Sequence, residues 1–357
     1  MKVMALMKYS ARAASTRQRL LQFQPYFRQV ELEFDYVPLF GNDYLDRRFR
    51  GDRVGKLEVA RLYCDRLKSI LFARGCDAVW VHYESFPYLF SFMERLVFLR
   101  RKPVIYDFDD AIFHQYDSHR NPLVRFFLGR KLHGLLRGAT LAVCGNAYLH
   151  NYARQFCDNA IIVPTVVDTD HFTPPMRKRT LRAVKVGWIG SPSTWDYVKP
   201  YVPLLSRLAT ELNLVVRIIG AGPQSTSIPG FEFANWSEDT EVREIQSMDI
   251  GIMPVPDEKW ARGKCGYKLI QYMACGVAVV ASPVGVNTDI VEPGRNGFLA
   301  TSEAEWETAI RTLVEDARLR RTMGKQGREK VVRSFSLQAQ GARLSGAVRD
   351  AILHQGR

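Results

Sequence analysis

The chain has 357 residues, 46% of them hydrophobic and 24% charged, with a formal net charge of +13. That balance excludes disordered and fibrous classes and suits two packed domains of ordinary size. Six cysteines without C-x-x-C spacing (Cys64, Cys76, Cys144, Cys157, Cys265, Cys275) indicate neither a zinc site nor a disulfide framework. No apolar run reaches the roughly 18 residues of a membrane span. The apolar part of Met1–Lys8 is too short for a signal peptide. A reduced, soluble, cytoplasmic protein is expected.

Periodicity predicts strands at 3–8, 32–39, 77–82 and 103–107, then at 139–144 and 160–163. Helices are predicted at 12–27, at 56–73 with Leu57, Ala60, Leu67 and Ile70 on one face, and at 121–137. A polar, proline-marked stretch from Thr173 to Arg179 breaks the rhythm and places a linker near 172–182. Strands resume at 184–189, 214–219, 249–253 and 277–281, with a short one ahead of Ala234 and a helix from Phe335 to Gln355. The expected domains are 1–172, 183–334 and a C-terminal helix, 335–357, crossing back to the first domain. Such βαβα alternation predicts two doubly wound parallel sheets of α/β class facing a central cleft, with ligands beyond the carboxyl ends of the strands.

The positive charge concentrates in the first half. Lys2, Lys8, Arg12, Arg17, Arg19 and Arg28 precede the first acid, Glu31, and Arg47, Arg48, Arg50, Arg53, Lys56, Arg61, Arg66 and Lys68 form a second cluster. The loop Lys8–Arg19 offers Ser10, Arg12, Ser15 and Arg17 to a phosphate; alternatively Arg17 and Arg19 are an exposed basic helix face. Residues 121–137 interleave leucines and phenylalanines with Arg125, Arg130, Lys131 and Arg137. That composition suits an amphipathic helix on anionic lipid, or one packed on its own sheet. Without a nucleic-acid motif, the charge points away from DNA and RNA.

In the second half, Ile218-Ile219-Gly220-Ala221-Gly222-Pro223 places glycines directly after a strand, and Asp249 leads the next. Then follow Gly263–Gly276, the run Val277–Gly285 and Asn296-Gly297-Phe298-Leu299. In this order the motifs resemble the donor-binding domain of the GT-B glycosyltransferases, in particular the large retaining family usually numbered four. The likeness covers roughly 184–300. It implies a GT-B fold and transfer of a sugar from a nucleotide-diphosphate donor to a hydroxyl acceptor, with retention and without a metal cofactor. With the basic first half, it also implies a glycan or lipid-linked acceptor, as in envelope polysaccharide assembly, at the inner face of a membrane.

The resemblance assigns donor contacts to Gly190, Ser191, Gly222, Asn235, Trp236, Gln271 and Gly285, with the Ser191 loop and the amides after Ser282 assisting the diphosphate. Aligned on its pattern, Gly263 and Gln271 stand where the family carries two glutamates. Lys264 and Lys268, one helical turn apart, are expected on one face, bearing the diphosphate charge and its catalytic stabilisation. Asp109 and Asp110 fall where relatives carry a histidine-aspartate pair and are the other catalytic candidates; three carboxylates sharing a site with Asp107 would raise one another's pKa values. Capping of the next helix is the structural alternative for Asp107 and Asp110. Asp107-Phe108-Asp109 also spells D-x-D, a metal-binding signature of another glycosyltransferase fold. Trp188, Trp195 and Trp236 are candidates for the donor pocket or for the core. A nucleotide-sugar epimerase, a sugar phosphorylase and a degenerate, non-catalytic scaffold remain as alternatives.

Overall fold

The computed structural model describes residues 1–50, 52, 54–72, 75–176, 183–222 and 228–354, without the side chains of 48–50. Arg53, Ala73, Pro223, Gln355, linker residues 177–182 and the side chains of Arg48 and Arg50 lie outside the described residues. The chain divides into two compact units, one of residues 1–165, 263–265 and 340–357, the other of 166–262 and 266–339.

Unit 1 contains β1 (Lys2–Tyr9), β2 (Glu33–Phe40), β3 (Ala78–His82), β4 (Val104–Phe108), β5 (Leu141–Cys144) and β6 (Ala160–Ile162). All pair in parallel, in the order β2-β1-β3-β4-β5-β6. Every residue of β3, β4 and β5 is buried, as expected of parallel strands covered on both faces. Strand order reverses between β1 and β3, which makes their carboxyl ends the ligand edge of this sheet.

Unit 2 contains β7 (Lys185–Ile189), β8 (Val215–Ile219), β9 (Phe231–Ala234), β10 (Ile250–Met253), β11 (Ala278–Ala281) and β12 (Gly297–Leu299), in the order β12-β11-β10-β7-β8-β9. Counted within the unit this is the dinucleotide-binding order 3-2-1-4-5-6, with the reversal between β7 and β10. Side-chain alternation divides its core. Val279 and Ala281 join Leu269, Ile270 and Met273 on one face, while Ala278 and Val280 join Trp188, Leu204 and Trp306 on the other. One device recurs in both units: Asp77 and Asp249, ahead of β3 and β10, accept the amides of Lys2 and Lys185 at 2.8 Å. Each thereby fastens the start of a neighbouring strand.

Several expected elements differ. The stretch 12–27 is broken at Leu20 into Ala14–Arg19, a 3₁₀ turn and Gln24–Gln29. The stretch 121–137 splits into helices Pro122–Leu128 and His133–Gly138. On helix Lys56–Phe72 the buried positions are Arg66 and Ile70, and Leu57 faces solvent. Gly297–Leu299 of the Asn296–Leu299 motif form β12, which adds to β11 in parallel.

Candidate functional site

In unit 1 the ends of β3 to β6 converge on Asp109. Its carboxylate is 4% exposed and accepts the Tyr83 hydroxyl on Oδ1 at 2.5 Å and the Thr165 hydroxyl on Oδ2 at 2.9 Å. Tyr83 also lies 3.4 Å from Asp110, which is half-buried. Directly after β3, Tyr83 has φ of 68°, a left-handed conformation rare for a bulky residue and retained only where its surroundings enforce it. Burial first, then Asp109 and Asp110, raise the Tyr83 pKa well above its ordinary value and keep the phenol a donor. Gly145 lets the loop after β5 close on this carboxylate, since a Cβ there would come within 2.8 Å of the Asp109 Cα.

Asp107 has a separate partner. Arg19, predicted on an exposed face, is buried and pairs with Asp107, while its Nη1 donates to the Val163 carbonyl at 2.6 Å. Burial pushes the Asp107 carboxyl up to about 6 against the pull of Arg19, with Asp109 adding to the rise. His82 lies 4.0 Å from Asp107, and burial lowers its pKa to about 4. With Asp107 on Arg19 and Asp109 on two hydroxyls, the D-x-D pattern does not present two open carboxylates to one ion.

The segment Gly263–Cys265 belongs to unit 1. Asn146 caps helix Ala147–Ala153 and donates to the carbonyls of Gly263 at 2.9 Å and Lys264 at 3.1 Å. A Cβ on Gly263 would meet the Ala111 Cβ at 2.4 Å and its backbone nitrogen at 2.9 Å. No side chain fits at the position aligned with a family glutamate.

The basic loop after β1 is largely occupied by its own chain. Ser10 donates to Asn42 at 2.5 Å, Arg12 pairs with Asp46, and Arg17 donates to the carbonyls of Ala11 and Arg12 at 3.0 and 2.8 Å. Ser15 is half-buried. In this structure Ser10, Arg12 and Arg17 thus take part in closing this turn.

In unit 2 the ends of β7, β8 and β9 come together. Gly220 and Gly222 follow β8 with φ of 78° and 80°, and a Cβ on Gly220 would lie 2.2 Å from the Gly190 carbonyl. The same Cβ would stand 3.1 Å from that of Trp236, and one on Gly222 would touch Pro192 at 3.2 Å. Gly190, Ser191, Gly222 and Trp236 are thus brought together, with Asn235 exposed beside them. Trp188 and Trp195 are core residues; Trp236 is partly exposed and donates to Glu241 at 2.9 Å. Lys268 stands over the Trp188 ring, 5.7 Å from its centroid, and that ring packs beneath Gly190.

Two expectations are corrected. The amides of Gly190 and Ser191 already donate to the Ile219 carbonyl at 3.0 Å and the Thr194 hydroxyl at 3.1 Å. Lys264 and Lys268 do not share a helix face, because the helix is Tyr267–Ala274, begun by Gly266 at φ of 65°. Gln271 on this helix is 2% exposed, and its Nε2 has no hydrogen-bond partner among the described residues. A buried amide nitrogen of this kind is a costly group unless something accepts from it. Gly285, at φ of 56°, closes on the Arg262 carbonyl.

Residues 183–316, which contain all of these unit 2 elements, match the family described as glycosyl transferases group 1. That match covers less than half of the chain. The chain also resembles HepE from Anabaena, solved with UDP and glucose, at 14% identity and a TM-score of 0.72 over 98% of this chain and 100% of that one. Sucrose-phosphate synthase from Thermosynechococcus elongatus gives 12% identity and a TM-score of 0.70 over 99% and 100%. These likenesses show a GT-B fold across both units. D-inositol 3-phosphate glycosyltransferase of Paenarthrobacter aurescens is 24% identical over 196 residues, 47% of this chain and 46% of that protein. The match thus spans less than half of that relative. The ordered motifs from 184 to 300 lie inside the matched residues. Tyr83, Thr165 and Asn146 were not singled out in the sequence, and Arg19 was read only as a basic residue, not as a partner of Asp107; of these only Asn146, a cap residue ahead of a helix, carried a local signal.

Proposed function

We propose that the protein is a glycosyltransferase that moves a sugar from a nucleotide-diphosphate donor, held by unit 2, to a hydroxyl acceptor. The observation that carries this reading is the group 1 match at 183–316 with its glycine-lined ends of β7 and β8. Gln271 donates from its Nε2 to a ribose hydroxyl, and the backbone at Asn235 and Trp236 receives the base. Lys268, beside the end of β7, and Lys264 stabilise the departing diphosphate by charge, so no metal is required. Asp110 contacts the sugar or acceptor, with Asp109 fixed behind it. Retention of configuration, a glycan or lipid-linked acceptor and a place on the inner face of a membrane complete the proposal. HepE was solved with UDP and glucose, so UDP is the first nucleotide to try.

Calorimetric titration with UDP, GDP, ADP and dTDP, without metal, tests the donor class. Selective binding of one diphosphate, weakened roughly tenfold by Lys268→Ala, is expected; binding of none overturns the reading. One observation favours a second reading, a donor-binding scaffold without transfer: Gly263 has no room for the side chain that relatives place there. Donor binding without consumption of the nucleotide sugar across a panel of glycan and lipid acceptors would select the scaffold.

A further inference from the structure

Unit 1 carries an exposed aromatic patch that the transferase reading leaves unused. Helix Pro122–Leu128 turns Leu128 inward and Leu123, Phe126 and Phe127 outward, positions i, i+3 and i+4 of one face, with Phe126 81% exposed. Phe90 and Phe92, from a separate part of the chain, complete the patch. Ring centroids lie 6.1 Å apart for Phe90 and Phe92, 6.1 Å for Phe90 and Phe127, and 5.0 Å for Phe126 and Phe127. Contiguous exposed apolar surface of this kind marks an interaction site.

The charge around it identifies the partner. From Ser118 to Cys157 the chain contains no aspartate or glutamate, while Arg120, Arg125, Arg130 and Arg137 are exposed. Arg95, three residues after Phe92, is exposed as well, and the neighbouring Glu94 is buried under Lys131. Exposed aromatic side chains on a helix flanked in sequence by exposed arginines, with Asp117 at its end paired with His114, match a surface that is apolar beneath and anionic above. A second copy of the chain would set like charges against each other, and a nucleic acid would leave the phenylalanines unmatched. No helix among the described residues is long and apolar enough to cross a membrane, so attachment through this patch is peripheral.

We infer that Phe90, Phe92, Leu123, Phe126 and Phe127 dock unit 1 onto an anionic lipid bilayer, the rings entering the headgroup boundary while the flanking arginines meet lipid phosphates. This docking is independent of the donor chemistry and is measured without a nucleotide sugar. The test is cosedimentation of the full chain with phosphatidylcholine vesicles containing 30 mol% phosphatidylglycerol, against pure phosphatidylcholine. Each basic residue near an anionic surface strengthens binding roughly fivefold, so at least about a tenfold preference for the anionic vesicles is expected, lost at high salt. Phe126→Ser with Phe127→Ser should weaken binding at least about tenfold without lowering the melting temperature, because both side chains are already in water. Arg120→Gln with Arg130→Gln should reduce the anionic preference while leaving the residual apolar binding. Equal binding to both vesicles, or unchanged binding of the phenylalanine variant, overturns the inference. A dimer in lipid-free buffer that the same variant dissociates also overturns it and gives the surface to a second copy.

Discussion

Asp109 was legible as a carboxylate at a strand end, but its role changes once its neighbours are known. Both oxygens are held by hydroxyls, from Tyr83 and Thr165, while half-buried Asp110 is the carboxylate closer to solvent. Tyr83→Phe removes one donor from a buried carboxylate and should destabilise the protein by about 1–3 kcal/mol, read from its urea midpoint. Asp110→Asn should leave that midpoint within about 0.5 kcal/mol and lower transfer more than Tyr83→Phe does. Nearby His82 supplies a pH dependence. Burial lowers its folded pKa from 6.5 to about 4, so between these values the unfolded chain binds a proton that the folded chain refuses. Its contribution is present above pH 6.5 and fades as the pH falls towards 4, about 2 kcal/mol between pH 7 and pH 5. Asp107, with its carboxyl pushed up to about 6, changes stability in the opposite sense over the same range, so the His82 contribution is read as the difference in urea midpoints between the wild type and His82→Gln, larger at pH 7 than at pH 5. The sequence could not reveal Tyr83 or Thr165 as partners, because their contact with Asp109 depends on which strands lie side by side.

At the scale of elements, strands were more legible than helix boundaries. Val277–Ala281 reads as a strand because it is apolar on both faces, whatever surrounds it. The helix bearing Lys268 was misjudged because its start depends on the left-handed Gly266, and glycine spacing does not disclose φ. The same passage holds Gly263, where alignment suggested a lost glutamate and packing against Ala111 explains the loss. Restoring the acid by Gly263→Glu should therefore weaken the fold by more than about 2 kcal/mol and not improve donor turnover, as thermal melts and transfer assays would show. Helix Lys56–Phe72 misled in another way, since its inner face includes Arg66 rather than Leu57. Arg66 donates from Nη2 to the Met7 carbonyl at 2.6 Å, but its Nε and Nη1 have no partner among the described residues. Buried cations are often replaced by apolar groups at no loss, so Arg66→Met should leave stability unchanged or raise it by about 1 kcal/mol.

Over the whole molecule, the duplicated α/β layout was readable from alternation, and the likeness to group 1 glycosyl transferases from the order of the motifs, while the distribution of charge was not. Lys8, Arg19, Arg66 and Lys131 all counted towards a basic surface, yet Lys8 and Lys131 lie on Glu84 at 2.9 and 2.8 Å, Arg19 on Asp107 and Arg66 inside. These cations are internal wiring of unit 1, and apart from Arg66 they are offset by Glu84, Glu94 and Asp107, so the +13 excess rests on other residues. The C-terminal helix Leu337–His354 shows how the chain assembles that unit. Its first residues belong to unit 2, and from Gln340 onward it contributes to unit 1, where Leu344 and Val348 are buried and Gly341 packs against the Tyr26 ring. A Cβ on Gly341 would stand 2.5 Å from that ring, so Gly341→Val inserts bulk where no space exists. Because the residues of unit 1 and unit 2 form distinct compact sets, this strain should fall on unit 1 alone. Scanning calorimetry should then show a transition lowered by several degrees for unit 1 and an unmoved one for unit 2. A single transition displaced as a whole would instead show that the two units unfold as one cooperative block.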